Sequence, residues 1–295
     1  MQLLLAGASG FLGQALARSL AQQGHQVVRL VRADTVATDE ARWDPDIGEV
    51  DQELVEWADV VVNLAGATNV HFPWNESYRR TFLESRTRTT RTLAEAIARS
   101  ERKPAFLAQN GIAGYGDRGT EVVDEQTPDD GDTYMADVTR QWAAATGPAV
   151  DAGARVVVMR TAVVLSKSGG ALKQMLLPFR LGLGGRIGPG DQYFATISLD
   201  DWTSAATFLA LNESASGVYN LTGPEPSTNA EFTRELATAL HRPAKLVVPA
   251  FAARAAGPIG GEVLASVRLE PRRLLAEGYA FAHNDVADRI RAALR

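Results

Sequence analysis

An α/β fold, in which helices cover both faces of a parallel sheet, is predicted by three observations along this 295-residue chain. First, apolar runs without polar alternation recur at Leu3-Leu4-Leu5-Ala6, Gln26 to Val31, Asp59 to Ala65, Ala105 to Gln109 and Arg155 to Arg160. Strands that read this way are buried on both faces, as in parallel sheets. Second, helical segments separate them, which is the crossover that parallel neighbours require. Third, Gly7-Ala8-Ser9-Gly10-Phe11-Leu12-Gly13 follows the first run directly and makes the turn from strand to helix.

The elements follow in order. Gly7 permits the tight turn, Gly10 lets the backbone approach a phosphate, and Gly13 lets the helix from about Phe11 to Gln23 pack on its strand. A pyrophosphate would then sit on unpaired N–H groups at the helix N-terminus. Gly7, Ser9, Gly10, Phe11, Leu12 and Gly13 are therefore expected to bind a dinucleotide in a Rossmann-like sheet. The second strand ends at Val31, beside Arg32. An NAD-selective site usually places an acidic residue here, whereas a guanidinium suits a 2'-phosphate. Arg32 points to NADP (NADPH) over NAD, the alternative being an ordinary surface arginine. Asp34 is expected to pair with Arg32 or face water.

An extended piece near Ala41 to Trp43 and a helix near Gln52 to Glu56 come next. The strand that follows ends in Asn63-Leu64-Ala65-Gly66, and Leu64, Ala65 and Gly66 leave room for the adenosine half of the cofactor. A long helix covers about Trp74 to Arg99. Gln109, at the end of the Ala105 strand, is assigned to the cofactor as well, and a helix is expected around Thr133 to Trp142. The loops after Ala6, Val31, Leu64, Ala108 and Arg160 share the carboxyl edge of the sheet, where ligands of such folds bind. Beyond it, Gly182 to Gly190 is read as a loop able to bend over a ligand, Asp200-Asp201-Trp202 as a helix start, and Asn229 as a helix cap. The division expected is 1–165, a dinucleotide-binding core, and 166–295, a mixed region holding the last core elements and a small C-terminal substrate-side lobe.

Composition narrows the function. The chain is 45% hydrophobic, enough for a large core, and its formal charge is -5 with scattered basic residues, so nucleic acid is not expected. It has no cysteine, hence no disulfide, thiol chemistry or cysteine-ligated metal. His25, His71, His241 and His283 lack ligand spacing, so no metal is expected. With a strand at its start and no 18-residue apolar run, the chain reads as cytoplasmic and free of the membrane. Its partner would be a small molecule.

Gly7 to Gly13, Asn63 to Gly66 and Tyr115-Gly116 resemble the extended short-chain dehydrogenase/reductases, the NAD-dependent epimerase/dehydratase group. Trp74 with Ser85-Arg86, Gly182 to Gly190, Asn220-Leu221-Thr222 with Thr228-Asn229-Ala230-Glu231-Phe232, and Leu269-Glu270-Pro271 through Phe281 resemble one subfamily. It comprises epimerase-like proteins sometimes called cell-division inhibitors. The resemblance implies hydride transfer assisted by a Tyr-x-x-x-Lys helix and a nearby Ser or Thr, and a monomer or a homodimer formed through the helices around Trp74 to Arg99 and Tyr134 to Thr146.

That chemistry is incomplete here. Four residues after Tyr78, Tyr115, Tyr134, Tyr193, Tyr219 and Tyr279 stand Phe82, Gly119, Val138, Ile197, Gly223 and His283, so no Tyr-x-x-x-Lys exists. Tyr134 falls on the family tyrosine, Val138 on the lysine, and Gly111 on the hydroxyl position. A phenol without a cation titrates near 10 and is a poor base at neutral pH. Tyr134 and Asn110 are the expected catalytic residues, Asn110 by hydrogen bonding a carbonyl or hydroxyl. Arg86, Trp74, Arg186 and Tyr193 are expected at the substrate, with surface position for the arginines and plain packing for the aromatics as alternatives. Two functions stay open: an NADP-dependent oxidoreductase or epimerase with an atypical site, and an NADPH-binding sensor with little turnover.

Overall fold

The computed structural model describes residues 1–295 apart from 35, 36, 70, 72 and 256. Its strands are β1 (Gln2–Ala6), β2 (Gln26–Val31), β3 (Glu40–Arg42), β4 (Val60–Asn63), β5 (Ala105–Gly111), β6 (Val122–Val123), β7 (Val156–Thr161), β8 (Val163–Leu165), β9 (Gly185–Ile187), β10 (Thr196–Ser198), β11 (Gly217–Leu221), β12 (Leu246–Val248) and β13 (Arg268–Leu269). Its helices are α1 (Phe11–Gln22), α2 (Gln52–Trp57), α3 (Glu76–Arg99), α4 (Tyr134–Ala144), α5 (Gly147–Asp151), α6 (Gly170–Arg180), α7 (Leu199–Leu211), α8 (Asn229–Ala239), α9 (Ala250–Arg254), α10 (Pro258–Glu262), α11 (Arg272–Ala276) and α12 (Val286–Leu294).

Seven strands form one parallel sheet in the order β3-β2-β1-β4-β5-β7-β11. The chain runs outward from β1 to β3, then crosses back to β4. The order therefore reverses between β1 and β4, and ligands of open α/β sheets bind in the crevice at such a point.

Alternate residues of each strand feed two cores. Leu3, Leu5, Val60, Val62, Leu107 and Met159 pack against Leu16 and Leu20 of α1 and Trp202 and Leu209 of α7. Leu4, Ala6, Val61, Phe106 and Val158 pack against Leu93 and Ile97 of α3 and Val55 of α2. Near-continuous apolar strands satisfy both faces at once, which is why the sheet was legible from the sequence.

The small lobe rests on three short parallel pairs, β8 with β10, β9 with β12 and β6 with β13. Its own core gathers Leu172, Leu176 and Phe179 of α6, Phe232 and Leu236 of α8 and Ile290 of α12. Three local expectations are corrected. Gly182 to Gly190 is not all loop, because Gly185 opens β9 so close to β12 that a Cβ would lie 2.2 Å from the Leu246 oxygen. Thr228, not Asn229, caps α8, in a reciprocal capping box with Glu231, and Asn229 Oδ1 accepts from Ile187 N at 2.8 Å instead. Helix α7 starts at Leu199, capped by Ser198, one residue ahead of Asp200.

Candidate functional site

The turn after β1 has the shape its glycines implied. Gly7 has φ +80°, and a Cβ there would fall 2.6 Å from Ala65 N and from the Leu64 carbonyl carbon. The end of β1 can therefore lie against the β4 loop only as glycine. At Gly13 a Cβ would fall 2.1 Å from the Gly7 oxygen, so the same absence lets α1 dock on its strand. Gly10 is different: its backbone is extended (φ -76°), and the nearest atom to a Cβ is the Gly7 oxygen at 3.2 Å. That contact is tight by a few tenths of an ångström, and among the described residues no second atom lies within 4 Å.

Helix α1 begins at Phe11 with Gly10 as its N-cap, no side-chain cap and no acid in the first turn. Helices α2, α3, α4, α7, α8 and α12 are all capped by a side-chain oxygen. Like α5, α6, α9, α10 and α11, α1 starts without a side-chain cap, and its first N–H groups carry the positive end of the helix dipole. Phe11 turns toward the lobe, where its ring fills the space beside Gly169 and Gly170.

The β4 loop faces this turn. Asn63 is fully buried and reaches Thr90 Oγ1 at 2.9 Å with its Nδ2, while its Oδ1 accepts from Ala65 N at 3.0 Å. This fixes Leu64, Ala65 and Gly66 as a short rigid edge, with Gly66 exposed. Arg32, at the end of β2, is exposed. Of the two expectations for Asp34, facing water holds: its side chain is 93% exposed and lies 3.5 Å from Arg42 Nε, with no pairing to Arg32 among the described residues. Arg29, inside the strand, is held by Asp39 and Glu40.

The groups expected to do chemistry are engaged by the fold. Asn110 is buried; its Nδ2 donates to Thr139 O at 3.0 Å, and its Oδ1 accepts from Gly111 N at 2.7 Å. The amide therefore ties α4 to β5 through Nδ2, while Oδ1 turns back on its own strand. The Tyr134 hydroxyl donates to Arg79 O at 2.6 Å, and burial pushes its pKa above the ordinary value. In this arrangement it is not the free proton-exchanging phenol expected, because its proton is directed at a backbone carbonyl of α3. Val138, at the lysine position, lies in an apolar cluster with Phe82, Ala113 and Met135. Gln109 is tied to Thr161 Oγ1 at 3.2 Å and to Asn110 O at 3.0 Å.

Arg86 was expected to reach substrate, but it lies buried beneath the β4 loop. It donates to Phe82 O at 3.0 Å, Ala67 O at 3.1 Å and Asn69 Oδ1 at 2.9 Å, with its guanidinium 3.5 Å above the Phe82 ring. Burial lowers its pKa to about 10. It is a strut for residues 67–69. Trp74 precedes α3 and packs edge-on to Phe82 and Tyr78, with Gly257 of the lobe against its ring, so it joins lobe to core. Arg186 is exposed on β9, and half-buried Tyr193 has Arg268 5.4 Å from its ring centre.

One residue was not picked out from the sequence. Glu262, at the end of α10, accepts a hydrogen bond from Thr133 Oγ1 at 3.1 Å, directly beside Tyr134. Burial pushes its carboxyl up to about 7. A lone glutamate in a Pro- and Gly-rich stretch carries no sequence signal of this, since its burial exists only once α10 docks on α4.

Residues 3–222 match the family model described as NAD dependent epimerase/dehydratase family. The chain belongs to that family. Residues 248–293 match a second model, a domain of unknown function. Within the family, the chain is 38% identical to an epimerase family protein of Mycobacterium leprae over 97% of this chain and 93% of that one. It is 35% identical to the human epimerase family protein SDR39U1, over 96% of each. The crystal structure of human SDR39U1 (isoform 2) with NADPH superposes with a TM-score of 0.88, at 33% identity and 99% coverage of both chains. A nucleoside-diphosphate sugar epimerase of Corynebacterium glutamicum gives 0.83 at 32% identity, covering all of this chain and 58% of the other. UDP-glucose 4-epimerase of Thermus thermophilus, in complex with NAD, gives 0.74 at 19% identity and shares the fold.

The fold is thus that of the extended short-chain dehydrogenase/reductases. Among the described residues no helix is long and apolar enough to cross a membrane, and no cluster of three metal-ligating side chains exists.

Proposed function

We propose that this chain is an NADP(H)-binding member of the family, an epimerase- or oxidoreductase-like protein acting on a small polar substrate in the cytoplasm, as a monomer or homodimer. The observation that carries the reading is the uncapped start of α1 above the Gly7 turn, with Arg32 at the end of the neighbouring strand and in no ion pair among the described residues. The residues fit a dinucleotide. Ser9, Gly10, Phe11 and Leu12 would offer backbone N–H groups to the pyrophosphate, Leu64 to Gly66 would line the adenosine side, and Arg32 would face the 2'-phosphate. Human SDR39U1, whose crystal structure includes NADPH, supports that cofactor; more distant epimerases of known structure hold NAD.

When bound, the cofactor supplies hydride. What this chain's residues do is hold and orient it: Gly7 and Gly13 set the distance from turn to helix, and Asn63 and Arg86 keep the opposing loop rigid. The sensor reading keeps a footing, because Asn110 and Tyr134 both face the fold and Val138 replaces a lysine. Titration of the protein with NADPH and NADH, with Arg32→Glu alongside, tests the cofactor assignment. NADPH should bind the wild type more tightly, and the variant should lose that preference; an unchanged ratio refutes the role of Arg32.

A further inference from the structure

The lobe carries an ionisable group to the ligand edge of the sheet that cofactor binding does not use. Helix α4 is the crossover before β7 and runs antiparallel to the sheet strands, so its N-terminus lies at their carboxyl ends. Its Thr139 carbonyl meets Asn110 near the end of β5. Thr133, six residues earlier, therefore stands about 9 Å further out, past the strand ends where ligands of such sheets bind. Glu262 accepts the Thr133 proton at that level. The same Thr133 oxygen accepts from Ala136 N as the α4 cap, so one hydroxyl fixes both helix and carboxylate.

Among the described residues no cation pairs with this carboxyl. Ile259 of α10 joins Trp74, Tyr78, Tyr134 and Met135 in an apolar cluster. The charged side chains of α4 are Asp137 and Arg140, that of α9 is Arg254, and the first two turns of α3 carry Glu76, Arg79 and Arg80. Arg79 lies over the Tyr134 ring, and Arg140 binds Gly131 O and pairs with Asp137. Burial raises the Glu262 pKa, and only the Thr133 hydrogen bond opposes it. A half-buried carboxyl that changes protonation near neutral pH at the ligand edge of such a sheet is suited to general acid–base work.

We infer that Glu262 is the proton-exchanging residue of this site, serving where the chain has no Tyr-x-x-x-Lys pair. The inference rests on the reductase-like reading above. In the reducing direction, hydride from NADPH forms the new C–H bond as the substrate C=O π bond breaks. The Glu262 O–H proton passes to the resulting oxygen, leaving an alcohol, NADP+ and a carboxylate that water reprotonates. Oxidation runs the same transfers in reverse. Glu262 would touch the substrate oxygen, while Thr133 positions it.

The test uses the full chain, as wild type, Glu262→Gln and Glu262→Asp. Three properties are read: carboxyl protonation by infrared difference spectroscopy against pH, NADPH affinity by nicotinamide fluorescence, and NADPH oxidation with UDP-sugar, aldehyde and quinone panels. A carboxyl band titrating near 7 is expected in the wild type and absent from Glu262→Gln. The Gln variant should bind NADPH within about twofold of wild type yet reduce carbonyls about 100-fold more slowly, losing the pH limb near neutrality. The Asp variant, which keeps a carboxyl, should recover part of the rate; a merely structural glutamate would give neither the lost limb nor this rescue. Wild-type turnover by Glu262→Gln overturns the proposal, as does a wild type with no carboxyl titrating above pH 6. A wild type that binds NADPH and reduces nothing also overturns it but leaves the cofactor assignment intact, whereas failure to bind NADPH overturns both.

Discussion

Replacing Gly10 by Ala separates cofactor binding from folding, because its neighbours Gly7 and Gly13 serve the fold and Gly10 does not. At Gly7 a methyl would meet two backbone atoms at 2.6 Å in a left-handed conformation, so Gly7→Ala combines strain of about 1–2 kcal/mol with overpacking of about 1–3 kcal/mol. At Gly10 the backbone is extended and one oxygen stands at 3.2 Å. The loss there is about 1 kcal/mol, mostly from a poorer N-cap. In a chain of this size that lowers Tm by about 2–4 °C. A methyl on the N-cap of α1 would crowd a pyrophosphate held there, and a loss of at least about tenfold in NADPH affinity, or about 1.4 kcal/mol, is expected. Thermal melting and fluorescence titration of the same sample give both numbers. Gly10→Ala that melts within a few degrees of wild type and binds NADPH with wild-type affinity would refute the placement of the phosphates on α1.

Glu262→Gln has a definite pH signature in stability. The wild-type carboxyl is pushed from 4.5 up to about 7, so its contribution is fully present below pH 4.5 and is lost as pH rises through about 7. Urea unfolding should therefore show the Gln variant gaining on wild type by up to about 3 kcal/mol between pH 4.5 and 8; a constant difference would contradict the burial argument. Tyr134→Phe removes one hydrogen bond to Arg79 O and should cost about 1 kcal/mol of stability with NADPH affinity unchanged; a large change in affinity would restore Tyr134 to the cleft. Asn110→Leu strands a buried N–H and a carbonyl, and denaturation should show a loss of about 2–3 kcal/mol, whereas a neutral result would remove the amide's role in tying α4 to β5.

The cofactor half of the site was legible because its determinants are local. The Gly7 to Gly13 spacing and the apolar pattern of each strand are read within a few positions, and the structure has the turn and the strands they imply. The chemical half was not. Whether Asn110 faces a substrate or Thr139, and whether Arg86 faces water or the carbonyls of Phe82 and Ala67, depends on how α3 and α4 dock. Helical spacing alone made Arg86 one arginine among many on its helix. The lobe pairs are harder still, since β6 with β13 and β9 with β12 join residues far apart in sequence through two or three residues each. No periodicity marks strands that short, and Glu262 meets Thr133 only once α10 docks on α4.

The most direct test of the account is equilibrium titration of the purified full chain with NADPH and with NADH, followed by nicotinamide fluorescence. Saturable one-to-one binding of NADPH is expected, at least about tenfold tighter than NADH, from a guanidinium set against a 2'-phosphate. Absence of saturable binding by either nucleotide would contradict it.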